Sequence, residues 1–194
     1  MKYTPTPKNK KAVVSGVILM ITAFLLFAFA GSGLTRQVAI LQLISVAILA
    51  LASFLMIKSI TVYTYLIIPV DEEDGTDYSA VSVPFPPNKL TFTVSKRFGK
   101  GKESYLCQLD MASLKSVTKL SGNADEDKKT IAKHGKMAIY KYLATLGPTE
   151  TVLLVFNKRG YDKTALIIEP DNAMFQYLRT VADINKNAPM DDDE

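Results

Sequence analysis

The chain offers few side chains of the types that carry out chemistry. It contains one histidine, His134, and one cysteine, Cys107, so a His/Cys metal site of ordinary spacing and an internal disulfide are both excluded. Cys107 stands among the apolar residues of a predicted strand, which is typical of a small core residue. His134 lies in the polar segment IAKHGK, which predicts an exposed loop. We therefore predict no catalytic residue, no bound metal and no cofactor.

The acidic residues lack the spacing of known sites. The cluster at 71–77 does not have the D-x-D-x-D-G pattern of a calcium loop, which favours a solvated run of charges. A membrane enzyme that uses Asp110, Glu150 or Asp162 is an alternative hypothesis, although nothing in the sequence brings these carboxylates together. The segment FGKGKES (98–104) lacks the G-x-x-x-x-G-K-[ST] pattern and joins two predicted strands, so it is not a phosphate loop.

Four basic residues in one turn form the most informative polar feature. Lys96, Arg97, Lys100 and Lys102 lie between two predicted strands. Beside an anionic leaflet, each such residue contributes about 1 kcal/mol of attraction. The cluster predicts binding of anionic lipid headgroups; the alternative is a solvated turn whose lysines keep an exposed hairpin soluble.

Two uncharged segments precede these residues, and both predict membrane spans. Segment 12–30 (AVVSGVILMITAFLLFAFA) is about 28 Å long as a helix, and segment 38–57 (VAILQLISVAILALASFLMI) is slightly longer. Their short link predicts an antiparallel hairpin. A cleaved signal peptide would have a shorter apolar region and would need no second span.

Charge sets the expected orientation. Residues 1–58 hold six of the 23 basic residues and none of the 19 acidic ones. Because the lysines flank the outer ends of the hairpin while Arg36 lies in the link, the positive-inside rule predicts cytoplasmic N- and C-termini. The pI near 9.0 therefore indicates membrane orientation and not nucleic-acid binding. Tyr63 and Tyr65 are expected either at headgroup level or within a strand.

For the part of the chain that follows the two spans, we predict a folded domain at 59–186 and an acidic, disordered tail at 187–194. Alternation over 90–95 and 105–110 predicts two half-buried strands, and further strands are predicted at 60–70, 137–145, 151–156 and 164–169. Segment 113–120 fits a helical turn or an irregular strand, and 121–129 is predicted to be a polar loop. After Pro170, a cap at Asp171 predicts a helix. Its buried stripe comprises Met174, Phe175, Leu178, Val181 and Ala182.

Two segments carry a resemblance to a known family. LTFTVSKRFGKGKESYLCQLDMASLKSVTKL (90–120) and TVLLVFNKRGYDKTALIIEPDNAMFQYLRTV (151–181), which follow a membrane hairpin, resemble the bacterial pleckstrin-homology-like (PH-like) membrane proteins. The resemblance implies an α+β chain in which a PH-like antiparallel β-sandwich or barrel is capped by a C-terminal helix. Since basic turns of eukaryotic PH domains hold phosphoinositide headgroups, it also implies an anion site at the basic turn. The acidic insertion at 71–79 departs from compact members.

These observations favour a non-enzymatic protein of the bacterial inner membrane. Its cytoplasmic PH-like domain is expected to bind another protein or further copies of itself. The alternative functions are an anionic-lipid reader that uses the basic turn at 96–102 and, less favoured, a membrane enzyme of unknown reaction.

Overall fold

The computed structural model describes two compact units. One contains Met1–Pro5, Val62–Leu143 and Gly147–Glu194, and the other contains Thr6–Thr61, which includes the two long helices, together with Ala144–Leu146. The structure describes residues 1–5, 10–32, 38–69, 89–145, 150–157 and 162–187. The predicted acidic loop at 71–79 and nearly all of the predicted tail at 187–194 lie outside these ranges.

Two apolar helices form the helical unit. Helix α1 spans Lys10–Gly31 and helix α2 spans Val38–Ile60, and both are long enough and apolar enough to cross a membrane. Small residues lie where the helices meet: Ala23, Ala30 and Ala52 are buried. Ser45 Oγ donates a hydrogen bond to the carbonyl oxygen of Ala23 at 2.6 Å. Small side chains let helix backbones approach closely, and the large apolar side chains consequently point outward.

Sheet A contains strands β1 (Lys2–Tyr3), β2 (Thr61–Pro69), β3 (Leu90–Phe98) and β4 (Ser104–Asp110), in that spatial order. The N-terminal flank, which the sequence groups with the helices, pairs with β2 through Lys2↔Leu66 and Tyr3↔Tyr65. Tyr63 and Tyr65 face the core with 7% and 0% of their surface exposed. The strand expectation for these tyrosines is therefore confirmed, and the headgroup expectation is wrong.

Side-chain contacts establish how β2 runs beside β3. Tyr65 packs on Phe92 with ring centroids 6.5 Å apart. Tyr142 contacts the ring of Tyr63 and the thiol of Cys107, and Cys107 is the register partner of Val94. Tyr65 therefore lies near Phe92, and Tyr63, which is nearer the start of β2, lies toward Val94, which is nearer the end of β3. The strands are antiparallel, and the turn after β3 lies at the end of sheet A where β2 begins.

Sheet B contains β5 (Leu114–Leu120), β6 (Ala138–Tyr142), β7 (Thr151–Phe156) and β8 (Thr164–Ile168), ordered β5-β7-β8-β6. The expectation of an antiparallel sheet is wrong for β6, which pairs with β8 in parallel. The reason is topological. β7 lies between β5 and β8, so β6 adds to the outer side of β8. Its last residue, Tyr142, lies beside Ile168, whose partner on the other side is Val152 at the start of β7; because β6 ends where β7 begins, it is antiparallel to β7 and therefore parallel to β8.

Both faces of the central strands of sheet B are covered, as their continuous apolar sequences predict. Phe156 contacts Phe92 of sheet A, with ring centroids 6.2 Å apart. On the opposite face, a buried cluster that includes Leu153 and Ile167 packs against Ile131 and Met137.

The structure resolves one open alternative of the sequence analysis and corrects one prediction. Segment 113–120 is a strand, preceded by a 3-10 turn at Met111–Ser113. Residues 121–129 do not form only a polar loop, because helix α3 spans Ala124–Ala132. Asn123 caps this helix by accepting a hydrogen bond from the amide of Asp125 at 3.1 Å. The acidic residues of the first turn also stabilise the helix, because negative charges interact favourably with the positive end of the helix dipole.

The C-terminal helix α4 (Asn172–Asn187) agrees closely with its prediction. All five residues of the predicted stripe are buried. Asp171 Oδ1 accepts a hydrogen bond from the amide nitrogen of Met174 at 2.8 Å, so the predicted cap is confirmed. At the other end of the helix, Asn185 Nδ2 donates to the carbonyl oxygens of Met111 and Leu114 at 2.8 and 2.9 Å.

Replacing Asp171 by alanine is expected to lower the free energy of unfolding by about 0.5–2 kcal/mol, because a free helix amide loses its acceptor. Pulse proteolysis of the full chain in detergent over a urea series measures this change. Asp183→Ala is the matched control, since Asp183 makes only an exposed pair with Lys186 at 3.9 Å. Equal stability of the two variants would contradict the assignment of Asp171 as the cap.

Candidate functional site

The basic turn joins β3 to β4 in a tight hairpin. The amide of Gly101 donates to the carbonyl oxygen of Phe98 at 2.8 Å, and this bond closes the turn. Gly99 has φ +52°, a left-handed conformation that glycine adopts without steric cost. The predicted hairpin is therefore confirmed. Its two glycines bring Arg97, Lys100 and Lys102 to one exposed tip.

Lys96 lies beside an exposed aromatic ring within this hairpin. Its Nζ is 4.3 Å from the ring centroid of Phe98, and 48% of the Phe98 surface is exposed. The acidic residue of the turn, Glu103, accepts a hydrogen bond from the buried hydroxyl of Ser95. The hairpin thus presents four basic side chains, one of them over an aromatic ring, and contains a single carboxylate.

Further apolar side chains emerge on β4, and sequence reasoning did not find them. Alternation predicts that Tyr105 shares the inner face with Cys107, yet Tyr105 is 74% exposed. The register shifts between Val94 and Ser95, so two β4 residues, Tyr105 and Leu106, lie opposite Ser95. Such a bulge breaks the two-residue period of a strand. Tyr105 is exposed as a consequence, and Leu106 beside it is 41% exposed.

Cys107 lies in an aromatic cluster between the two sheets. It is half-buried, and the Tyr142 hydroxyl makes a hydrogen bond with its thiol. Burial raises the pKa of the Cys107 thiol, so the reactive thiolate is scarce at neutral pH. Burial also raises the pKa of Tyr142 to about 12. These features agree with the prediction of a packing residue.

Tyr65 connects three strands of this cluster. Its hydroxyl donates to the carbonyl oxygen of Tyr142 at 2.6 Å and accepts from the amide of Glu169 at 3.2 Å. Burial raises the pKa of the Tyr65 hydroxyl far above its usual value. The side chain therefore stays neutral and links sheet A to sheet B.

The three carboxylates of the enzyme hypothesis do not converge. Glu150 precedes β7 and Asp162 precedes β8; because these strands are antiparallel, the two acids lie at opposite ends of sheet B. Asp110 caps the 3-10 turn, where its Oδ1 accepts from the amide of Ala112 at 2.9 Å. Within the described ranges, no group of three His, Cys, Asp or Glu side chains could hold a metal ion.

His134 lies at the end of α3 and not in an extended loop. Its amide donates to the carbonyl oxygen of Ile131 at 3.1 Å, and its side chain is half-buried. Lys163 Nζ donates to the His134 carbonyl oxygen at 3.4 Å. The residue therefore completes a helix terminus.

Two exposed features stand out among the described residues: a basic hairpin with an aromatic side chain, and the apolar residues of edge strands. Comparison with known proteins adds no relative to these observations: no protein-family model, no curated protein and no solved structure matches the chain.

Proposed function

We propose that this chain is a non-enzymatic integral protein of the bacterial inner membrane. Two spans anchor it, both termini are cytoplasmic, and a PH-like domain binds another protein or a second copy of the chain. The PH-like assignment is supported by the order of elements, in which sheet A is followed by the strands of sheet B and by a final helix.

The observation that carries the interaction proposal is the apolar character of two edge strands. β6 exposes Ile139 and Tyr140, at 41% and 50%, and β4 exposes Tyr105 and Leu106. An edge strand has unpaired backbone groups along one side and readily pairs with another chain. Exposed apolar residues beside such an edge favour a protein partner.

Photocrosslinking in the native membrane tests this proposal. A benzophenone amino acid is placed at Tyr140 or Tyr105 of the full chain, and adducts are identified by mass spectrometry. We expect one stoichiometric protein adduct, and an adduct of twice the chain's 21.4 kDa would identify a second copy. The exposed Lys128 of α3 is the control position and should give no such adduct. Absence of a protein adduct at both edge positions would refute the proposal.

A second function, contact with the anionic leaflet, is favoured by the composition of the basic hairpin. Its four basic residues and the exposed ring of Phe98 lie in one turn, whose single carboxylate is Glu103. Four basic residues would contribute about 4 kcal/mol of attraction to an anionic surface. Phe98 would add an apolar contact at the interface, where aromatic side chains are enriched.

Replacing Phe98 by tryptophan tests the leaflet contact, because the chain has no other tryptophan. In proteoliposomes of phosphatidylglycerol and brominated phosphatidylcholine, we expect quenched, blue-shifted emission. Reversal of Lys96, Arg97, Lys100 and Lys102 to glutamate should abolish the quenching, because attraction becomes repulsion. Ile184→Trp on α4 is the control and should remain unquenched. Equal emission from the two tryptophan variants would contradict leaflet contact.

A further inference from the structure

Helix α4 ends beside the turn that follows strand β4. Asn185, in the last turn of the helix, donates hydrogen bonds from its side-chain amide to the carbonyl oxygens of Met111 and Leu114, at 2.8 and 2.9 Å. Met111 directly follows Asp110, the last residue of β4. The chain that continues after Asn187 therefore starts close to this end of β4.

Strand β4 leads from the end of α4 to the basic hairpin. The strand begins at Ser104, whose register partner on β3 is Lys96, and it ends at Asp110. At about 3.4 Å per residue, β4 is about 20 Å long. Among the described residues β4 is an edge of sheet A and pairs with β3 alone. Its side chains are exposed or half-buried along the whole strand, so another segment can lie beside it.

The two ends of this path carry opposite charges. The hairpin holds four basic residues and one acidic residue, Glu103, whose carboxylate accepts a hydrogen bond from Ser95. Residues 188–194 contain no basic residue and end in four consecutive acids at 191–194, which we call the acidic run. An extended chain spans about 3.4 Å per residue, so residues 188–194 reach about 24 Å from Asn187. The acidic run is therefore able to reach the hairpin along β4.

Two other lysines lie nearer to the end of α4 but offer less charge. Lys186 is already 3.9 Å from the carboxylate of Asp183. Lys115 is exposed as a single lysine at the second position of β5. Four adjacent carboxylates repel one another, and one lysine offsets only part of that repulsion. The hairpin, with four basic residues and one acid, is the better electrostatic match for the acidic run.

We propose that the acidic run docks on the basic hairpin of its own chain and shields the hairpin from anionic lipid. This proposal rests on the leaflet contact proposed above as a second function and adds its regulation. Docking places carboxylates beside Lys96, Lys100 and Lys102, so lipid phosphates must displace these carboxylates before they reach the lysines. The hairpin then contacts the leaflet only where anionic lipid is abundant.

A zero-length carbodiimide crosslinker tests the docking on the full chain in a neutral detergent, without any substitution. The reagent joins a carboxylate to a lysine amine only where the two touch, and mass spectrometry of the monomer identifies the joined peptides. We expect links between the acidic run and the hairpin lysines. These links should disappear in about 1 M salt, where the Debye length falls to about 3 Å. Absence of hairpin links, or links only to Lys115 or to the exposed Lys128 of α3, overturns the proposal.

Tryptophan emission of the Phe98→Trp chain tests the shielding, in proteoliposomes with increasing fractions of phosphatidylglycerol and constant brominated phosphatidylcholine. One variant neutralises the acidic run, through Asp191→Asn, Asp192→Asn, Asp193→Asn and Glu194→Gln. The matched control changes the net charge equally at exposed acids elsewhere, through Asp125→Asn, Glu126→Gln, Asp162→Asn and Asp183→Asn. The first variant should reach half-maximal quenching at a phosphatidylglycerol fraction at least about twofold lower than the control. Equal fractions for the two variants overturn the proposal.

The two experiments separate this proposal from the leaflet function. If Phe98→Trp emission is quenched but the hairpin crosslinks are absent, docking of the acidic run is wrong and leaflet contact stands. If the crosslinks form but neither variant is quenched at any phosphatidylglycerol fraction, leaflet contact is wrong and the shielding fails with it.

Discussion

Replacing Phe92 by alanine is expected to lower the free energy of unfolding of the β-sandwich by about 3–5 kcal/mol. The Phe92 side chain is fully buried. Its ring contacts Tyr65 within sheet A and Phe156 of sheet B, with centroids 6.5 and 6.2 Å away. Truncation therefore leaves a cavity between the sheets, and the lost contacts add to the lost burial.

Phe98→Ala is a control of the same residue type in the same strand. Phe98 is 48% exposed, so its loss should change the free energy of unfolding by no more than about 0.5 kcal/mol. Pulse proteolysis over a urea series, with the full chain in detergent, measures both variants. Similar losses for Phe92 and Phe98 would contradict the packing of sheet A on sheet B described above.

Arginine at Ile21, near the middle of α1, is expected to disfavour membrane insertion by about 3–4 kcal/mol. Leu49→Arg, near the middle of α2, should have a similar effect. Both wild-type side chains are exposed, at 56% and 45%, so in water arginine would fit easily. In lipid the same positions contact hydrocarbon, where a charge is costly. The effect therefore distinguishes a span from a surface helix in water.

Alkaline carbonate extraction of membranes from cells that express each variant measures insertion. Ile184→Arg on α4 is the matched control, because Ile184 is 49% exposed but lies in the β-sandwich unit. We expect the control to remain in the membrane pellet and the double variant Ile21→Arg with Leu49→Arg to be depleted from it. Full retention of the double variant in the pellet would contradict the assignment of the two helices as spans.

Elements governed by local periodicity were predictable from the sequence. The apolar stripe and aspartate cap of α4 are both found as expected, because each depends on residues within one or two turns. The β7 and β8 segments are nearly continuous apolar runs, and both strands are buried on two faces. The hairpin turn was marked by its two glycines.

Elements governed by distant residues were not predictable. Pairing of β1 with β2 joins residues more than sixty positions apart, and no local pattern records it. The parallel position of β6 depends on which side of β8 is free. Helix α3 was missed because its caps and charges also suit a polar loop, and only Ile131 reaches the core.

The basic residues of the candidate site could be predicted from the sequence, but the exposure of its apolar residues could not. Lys96, Arg97, Lys100 and Lys102 cluster because the turn is short. The exposure of Tyr105 arises from a bulge, which shifts the strand register without a sequence signal. Phe98 is exposed because it lies at the last position of β3, beyond the buried part of the strand.

Cysteine labelling in bacterial spheroplasts tests most directly that two spans anchor a cytoplasmic domain. In a Cys107→Ser background, a single cysteine replaces Ser32, in the link between the two spans, or Lys128 on α3. A membrane-impermeant maleimide should label the cysteine at 32 in intact spheroplasts and the cysteine at 128 only after lysis. Labelling at 128 in intact spheroplasts, or protection at 32 until lysis, would contradict the account.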